Sequence, residues 1–196
     1  MTTHLPGLPA LEWTNGIGGF TAVADGGFQL TAAAGVDWTN DASGTEPQHR
    51  ATSLAFTVHD DFQLSARVRV GHPRTTFDAG VLSLWADEDH WAKLCFEWSP
   101  HGAAMVVSVV TNQYSDDANA IDVDTEEVWL RVSKIGPAFA FHSSPDGRVW
   151  RFVRLFRLLT DKPVQAGFLA QAPLGDSATA TFSDIRYVRE TLAELR

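Results

Sequence analysis

Residues 77–99 read FDAGVLSLWADEDHWAKLCFEWS. Val81 to Trp85 is a short apolar run, Asp87-Glu88-Asp89-His90 is a tight acidic turn, and Trp91 to Trp98 is a returning run. Successive side chains on a strand point to opposite faces. One side of the returning run therefore carries Ala92, Leu94, Phe96 and Trp98, a plain core face. The other carries Trp91, Lys93, Cys95 and Glu97, which mixes an aromatic ring, a cation and a carboxylate. This is the pattern of an antiparallel hairpin with one face on a core.

The same pattern extends in both directions. Upstream, Val23-Ala24 leads through Asp25-Gly26-Gly27 into Phe28 to Thr31, a hairpin with a glycine-rich turn; Thr52 to Val58 and Phe62 to Val70 follow as strands. Downstream, the spacing predicts strands over 105–110, 128–135, 139–142, 149–156, 164–170 and 178–188. Residues 34–50, which hold Trp38, and 112–126, which hold Tyr114, Asp116 and Asp117, read as long polar loops. Helical periodicity is almost missing. About a dozen strands at this spacing fit an all-β sandwich of two antiparallel sheets. Glycine and proline are spread through the turns rather than pooled in a linker, so residues 1–196 read as one domain, with a peripheral tail over 190–196 that frays or forms one helical turn.

Composition narrows the function classes. The net charge of −9 argues against a nucleic-acid partner, because phosphate binding needs clustered Lys and Arg. One Cys excludes an internal disulfide framework and any CxxC site. No stretch approaches the roughly 20 apolar residues of a membrane helix. No signal-peptide pattern opens the chain. A soluble cytoplasmic protein without a membrane partner is the expectation. The seven His show no H-x-H or H-E-x-x-H spacing, and Asp87, Glu88 and Asp89 lack the D-x-D-x-D-G frame of a calcium loop. Neither a metal nor another cofactor is therefore expected.

The opening stretch, with VVSVVTNQYSDD (106–117) and LRVSKIGPAFAFHSSPDGRVW (130–150), closely resembles the DUF1349 family. The resemblance runs from about Trp38 to Phe182. It implies a concanavalin A-like jelly roll, two curved antiparallel sheets, and brings no settled activity. It draws attention to Asp78, Gly80, Trp91, Lys93, Glu97, Thr111, Tyr114, Ser115, Asp116, Arg131, Ser133 and the turn Ser144, Asp146, Gly147, Trp150. Asp117 stands where the family usually has an aromatic residue. The 144–150 turn resembles the Asp box of sialidases, one residue short, and reads as a structural hairpin closure anchored by Trp150.

Strand faces suggest a site. Arg131 alternates against Leu130 and Val132, and His142 against Phe141. If these strands share a sheet with 91–98, then Lys93, Glu97, Arg131 and His142 meet on its outer face. Two readings follow. The first is a carbohydrate or small polar ligand in a cleft, with Trp38, Trp85 and Trp91 stacking on sugar faces. Asp78, Arg131, Lys93 and Glu97 would take the hydroxyls, and Thr111, Tyr114 and Asp116 come in by the resemblance. The second is an enzyme of glycoside hydrolase or lyase type, with Glu97 as acid or base, Lys93 orienting it, His142 nearby and Asp78 as the best second carboxyl. Concanavalin A-like glucanases typically carry E-x-D-x-x-E on one strand, which this chain lacks. A protein-interaction domain, such as a homodimer through an edge strand or sheet face, is a further reading.

Overall fold

The computed structural model describes residues 2–196, save the side chain of Asp25. The strands are β1 Glu12–Thr14, β2 Gly19–Ala22, β3 Phe28–Ala33, β4 Trp38–Thr39, β5 Gln48–His49, β6 Ser53–Val58, β7 Phe62–Val70 and β8 Ala79–Asp87. They continue as β9 His90–Trp98, β10 Ala104–Asn112, β11 Tyr114–Asp122, β12 Glu127–Ile135, β13 Ala138–Ser144, β14 Arg151–Phe156, β15 Val164–Gln171 and β16 Ser177–Val188. One sheet has the order β1-β6-β15-β8-β9-β10-β11 and the other β14-β13-β12-β7-β16-β3-β2. Strands β4 and β5 form a small hairpin of their own. Neighbouring strands run antiparallel in both sheets. Among the described residues, no helix is long and apolar enough to cross a membrane.

Alternation explains how the two sheets meet. Leu82, Leu84, Leu94, Phe96 and Phe168 from the first sheet interlock with Leu64, Val68, Leu130, Phe141 and Phe182 from the second, all buried in one core. Phe28, Phe168 and Phe182 form an aromatic triangle with ring centroids 5.0–5.3 Å apart. Fully burying each such side chain contributes about 1.5–3 kcal/mol. Gly80 sits at a close approach of the sheets, where a Cβ would lie 2.5 Å from Val68 Cγ1 and 3.0 Å from Ala180 Cβ. Only a residue without a side chain lets the two layers close there.

The structure departs from the sequence reading in three places. The 34–50 loop contains the β4–β5 hairpin and folds back over the outer face of the first sheet. The polar stretch 114–122 is not a loop but an edge strand, β11, paired with β10. The 190–196 tail forms no helical turn; it lies across the outer face of the second sheet, where Leu195 O accepts from His142 Nε2 at 2.9 Å.

Candidate functional site

Hydrogen-bond register arranges the outer face of the first sheet in rungs. Asp117, Val109, Lys93 and Ser83 share one rung across β11, β10, β9 and β8. Asn119, Val107, Cys95 and Val81 share the next, and Met105, Glu97 and Ala79 another. Lys93 and Glu97 are four residues apart on β9, about 13 Å between Cα atoms.

The 34–51 segment lies across these rungs and makes one wall of a cleft. Trp38 is wholly buried and packs on Trp85 and Trp91, with ring centroids 4.6 and 5.9 Å away. Its Nε1 donates to Ala51 O at 2.7 Å. His49 stands edge-on to Trp85 and Trp91 and is hydrogen-bonded to Asn40 Oδ1 at 2.7 Å. Burial lowers the His49 pKa, against the pull of Glu88 and Asp89. Asn40 Nδ2 in turn donates to the carbonyls of Glu88 and Gln113, each at 2.9 Å. Two turns of the first sheet thereby hold the segment down.

Beneath this wall, Lys93 Nζ donates to Asp37 Oδ1 at 2.6 Å, to Trp38 O at 2.8 Å and to Gln171 Oε1 at 2.9 Å. An ammonium has three donors, and all three are used. Burial alone would lower the Lys93 pKa, but the adjacent Asp37 carboxylate, with Cys95 and Glu97, raises it. Lys93 is therefore a fixed cation that positions the wall and is not available as a nucleophile. Cys95 is buried beneath the face, and burial pushes its thiol pKa well up, so it is no nucleophile either.

The resulting cleft holds about 270 Å³ and is lined by Asp37, Phe77, Lys93, Glu97, Asp117 and Gln171, with Ser115, Asn119 and apolar floor residues. Glu97 is 9% exposed and has no hydrogen-bond partner among the described residues. Burial raises its pKa from 4.5 to about 7; Lys93 opposes this, and Asp37 and Asp117 reinforce it. Asp117 stands at the solvent-exposed mouth, where partial loss of hydration raises its pKa, again against Lys93 and with Asp37 and Asp116. A carboxyl that titrates near neutrality can give or take a proton or a hydroxyl hydrogen bond. Phe77 borders the cleft with φ +70°, a left-handed conformation costly for a non-glycine residue. Its N–H donates to Trp98 O at 2.7 Å and its carbonyl accepts from Gln171 Nε2 at 3.0 Å, so the backbone is held from both sides.

Several sequence expectations are corrected by this geometry. Lys93 and Glu97 do share an outward face, but Arg131 and His142 lie on β12 and β13 of the other sheet. They face out on the opposite side of the sandwich and cannot join Glu97. Trp38, Trp85 and Trp91 are packed against one another rather than presented to a sugar. Asp78 is 1% exposed, outside the cleft, and accepts from Thr75 N at 2.7 Å. Burial raises its pKa. Thr111 is buried and bonded to Ser115 Oγ at 3.0 Å. Tyr114 and Asp116 project from the other side of β11, where Asp116 pairs with Arg154 at 2.6 Å. Trp150 is no core anchor; it stacks on Arg131. Asp37, Phe77, Asp117 and Gln171 were missed as site residues. The substitution of an acid for the family's usual aromatic at 117 was their only sequence signal.

A family model described as a protein of unknown function, DUF1349, matches residues 13–190. The chain belongs to the DUF1349 family. Curated protein sequences returned no match to it. Among solved structures, this DUF1349 chain is similar to a functionally unknown protein from Saccharomyces cerevisiae. The TM-score is 0.82 at 23% identity, covering 93% of this chain and 97% of that one. It is also similar to a xylan β-1,4-xylosidase from Bacillus halodurans C-125, with a TM-score of 0.65 at 14% identity. That match covers 84% of this chain and 33% of the xylosidase. The alginate lyase from Klebsiella pneumoniae gives 0.55 at 14% identity, with 87% and 84% covered. These likenesses establish the concanavalin A-like sandwich of the DUF1349 chain.

Proposed function

We propose that the cleft over β9 binds a small neutral polyhydroxylated molecule, a single sugar ring or short polyol. The carrying observation is Glu97, a nearly buried carboxyl that opens onto the cleft with no protein partner. Asp117 offers a second acceptor at the mouth, and the half-exposed ring of Phe77 offers a stacking face for sugar C–H groups. The cleft cation is already neutralised by Asp37, so a ligand carboxylate or sulfate would meet two acids and no free base. A volume of about 270 Å³ equals roughly nine waters at ~30 Å³ each, room for one ring. The sandwich resemblance to a xylosidase and an alginate lyase supports a sugar-related role. Calorimetric titration with neutral monosaccharides and polyols, and with glucuronate as the charged contrast, tests this. Glu97→Gln and Asp117→Asn are expected to weaken neutral-ligand binding; unchanged affinity in both, or equal binding of glucuronate that these two variants weaken alike, refutes it.

The pKa of about 7 at Glu97 favours a second reading, an enzyme in which Glu97 is general acid or base. The second carboxyl would then be Asp117. Turnover of aryl glycosides that is lost in Glu97→Gln while ligand binding persists supports catalysis. A blank screen with intact binding leaves the binding reading alone.

A further inference from the structure

The outer face of the second sheet carries a pocket that shares no residue with the cleft. Register places Ser65, Arg131 and His142 side by side across β7, β12 and β13. A pocket of about 160 Å³ is bordered by Gln63, Ser65, Trp129, Arg131, Trp150 and Arg186. It adjoins a wider space under the 190–196 tail, bordered also by His142.

The Ser144–Trp150 turn builds one side of this pocket. Asp146 Oδ1 accepts from the backbone N–H groups of Arg148 and Val149 at 2.8 and 2.9 Å, and Ser144 Oγ accepts from Gly147 N at 2.9 Å. Gly147, at φ +71°, lies so near Trp129 that a Cβ would sit 2.7 Å from its Nε1. The turn so fixed sets Trp150 over Arg131, with the guanidinium carbon 4.3 Å from the indole centroid. Stacking occupies the face of a guanidinium and leaves its edge donors free.

Arg131 forms no ion pair or hydrogen bond among the described residues, and its Nε is sealed from solvent without an acceptor. Burial lowers its pKa to about 10. The next outward position on β12, Ser133 Oγ, is also buried without a partner; His142 donates through Nε2 to Leu195 O, so its Nδ1 is a bare acceptor and takes no part in anion binding. Among the described residues, the one carboxylate lining the pocket, Asp184, is already engaged by Trp129 Nε1 at 3.0 Å and Arg186 Nη2 at 3.3 Å. Glu190 and Glu194 border the adjoining space and make no ion pair with Arg131. A half-buried cation left unpaired is a costly arrangement unless something of opposite charge completes it.

The geometry points to a small-oxyanion site on this face: Arg131, clamped on Trp150, takes a carboxylate or phosphate group through its terminal Nη1 and Nη2 N–H groups, with Arg186 at the rim. A planar fork fits either group with two parallel hydrogen bonds. The site is independent of the cleft and of opposite preference, since the cleft disfavours anions.

The test is calorimetry and thermal denaturation of the full chain in sodium phosphate, sodium acetate and sodium chloride at matched ionic strength. Saturable binding of phosphate or acetate by the unaltered protein, with chloride inert, is expected; comparison of the two arms names the oxyanion. Arg131→Lys keeps the charge and loses the fork, so affinity falls about tenfold or more. Arg131→Gln abolishes binding, and Trp150→Phe weakens it by loosening the clamp. If Arg131→Gln does not fold, Arg131→Lys and Trp150→Phe carry the comparison. No saturable oxyanion binding to the unaltered protein, or unchanged affinity in the foldable Arg131 variant, overturns the assignment.

Discussion

Replacing Glu97 by Gln keeps the side chain's shape and removes its proton equilibrium. Burial holds the Glu97 pKa at about 7 instead of 4.5. Below pH 4.5 both the folded and the unfolded chain hold the proton, and the residue favours neither. Between 4.5 and about 7 the folded state keeps a proton that the unfolded state has released, so stability falls as pH rises through this window. Above it the cost of a buried carboxylate is complete. At about 1.36 kcal/mol for each pH unit between the two values, that cost is about 3 kcal/mol. Glu97→Gln is therefore expected to stabilise the protein at pH 8 by up to ~3 kcal/mol, roughly 6–12 °C in Tm for a domain of this size. At pH 4 it should do almost nothing. The attraction of Lys93 for the carboxylate is already contained in the value of about 7, and its three donors remain held by Asp37, Trp38 and Gln171 in the variant. Calorimetric unfolding of both proteins from pH 4 to pH 8 measures the difference directly. A stabilisation that is the same at both ends, or absent at pH 8, refutes the buried-acid account. A variant that is more stable and binds less would show that the carboxyl is retained for function at the expense of the fold.

Three further outcomes follow from the same packing. Lys93→Met leaves Asp37 half-buried without its cation and should cost about 3–5 kcal/mol, seen in denaturant unfolding and as faster hydrogen exchange over residues 34–51. Gly80→Ala puts a Cβ 2.5 Å from Val68 Cγ1 and should cost about 1–3 kcal/mol without touching ligand affinity, a contrast that unfolding and titration together read out. Phe77→Ala keeps the backbone and removes the ring, and sugar affinity should fall about three- to tenfold, within the ~0.5–1.5 kcal/mol of an aromatic contact.

What the sequence disclosed was local. The split of β9 into Ala92, Leu94 and Phe96 against Trp91, Lys93, Cys95 and Glu97 follows from period-two alternation, and the structure keeps it, with the first set in the main core and the second on the outer face. Sheet membership was not legible. Arg131 shows the same alternation as Lys93, yet pairing puts β12 in the other sheet, because alternation fixes a face and not which sheet owns it. The Trp residues looked like stacking surfaces because nothing local reveals that the 34–51 segment lies on them. Asp37 reaches Lys93 across 56 residues of chain, a contact that no spacing rule encodes. Strand β11 read as a loop because YSDDANAID lacks an apolar face: as an edge strand it has water on much of both sides.

The buried ammonium also decides how the molecule can be handled. The chain has three lysines, Lys93, Lys134 and Lys162. The first is saturated inside the protein, while the other two border one open concavity of about 740 Å³ that shares no lining residue with the cleft or the Arg131 pocket. Lysine-directed coupling to a bead, chip or dye therefore grips the domain at a single corner and leaves both outer faces turned toward the solution.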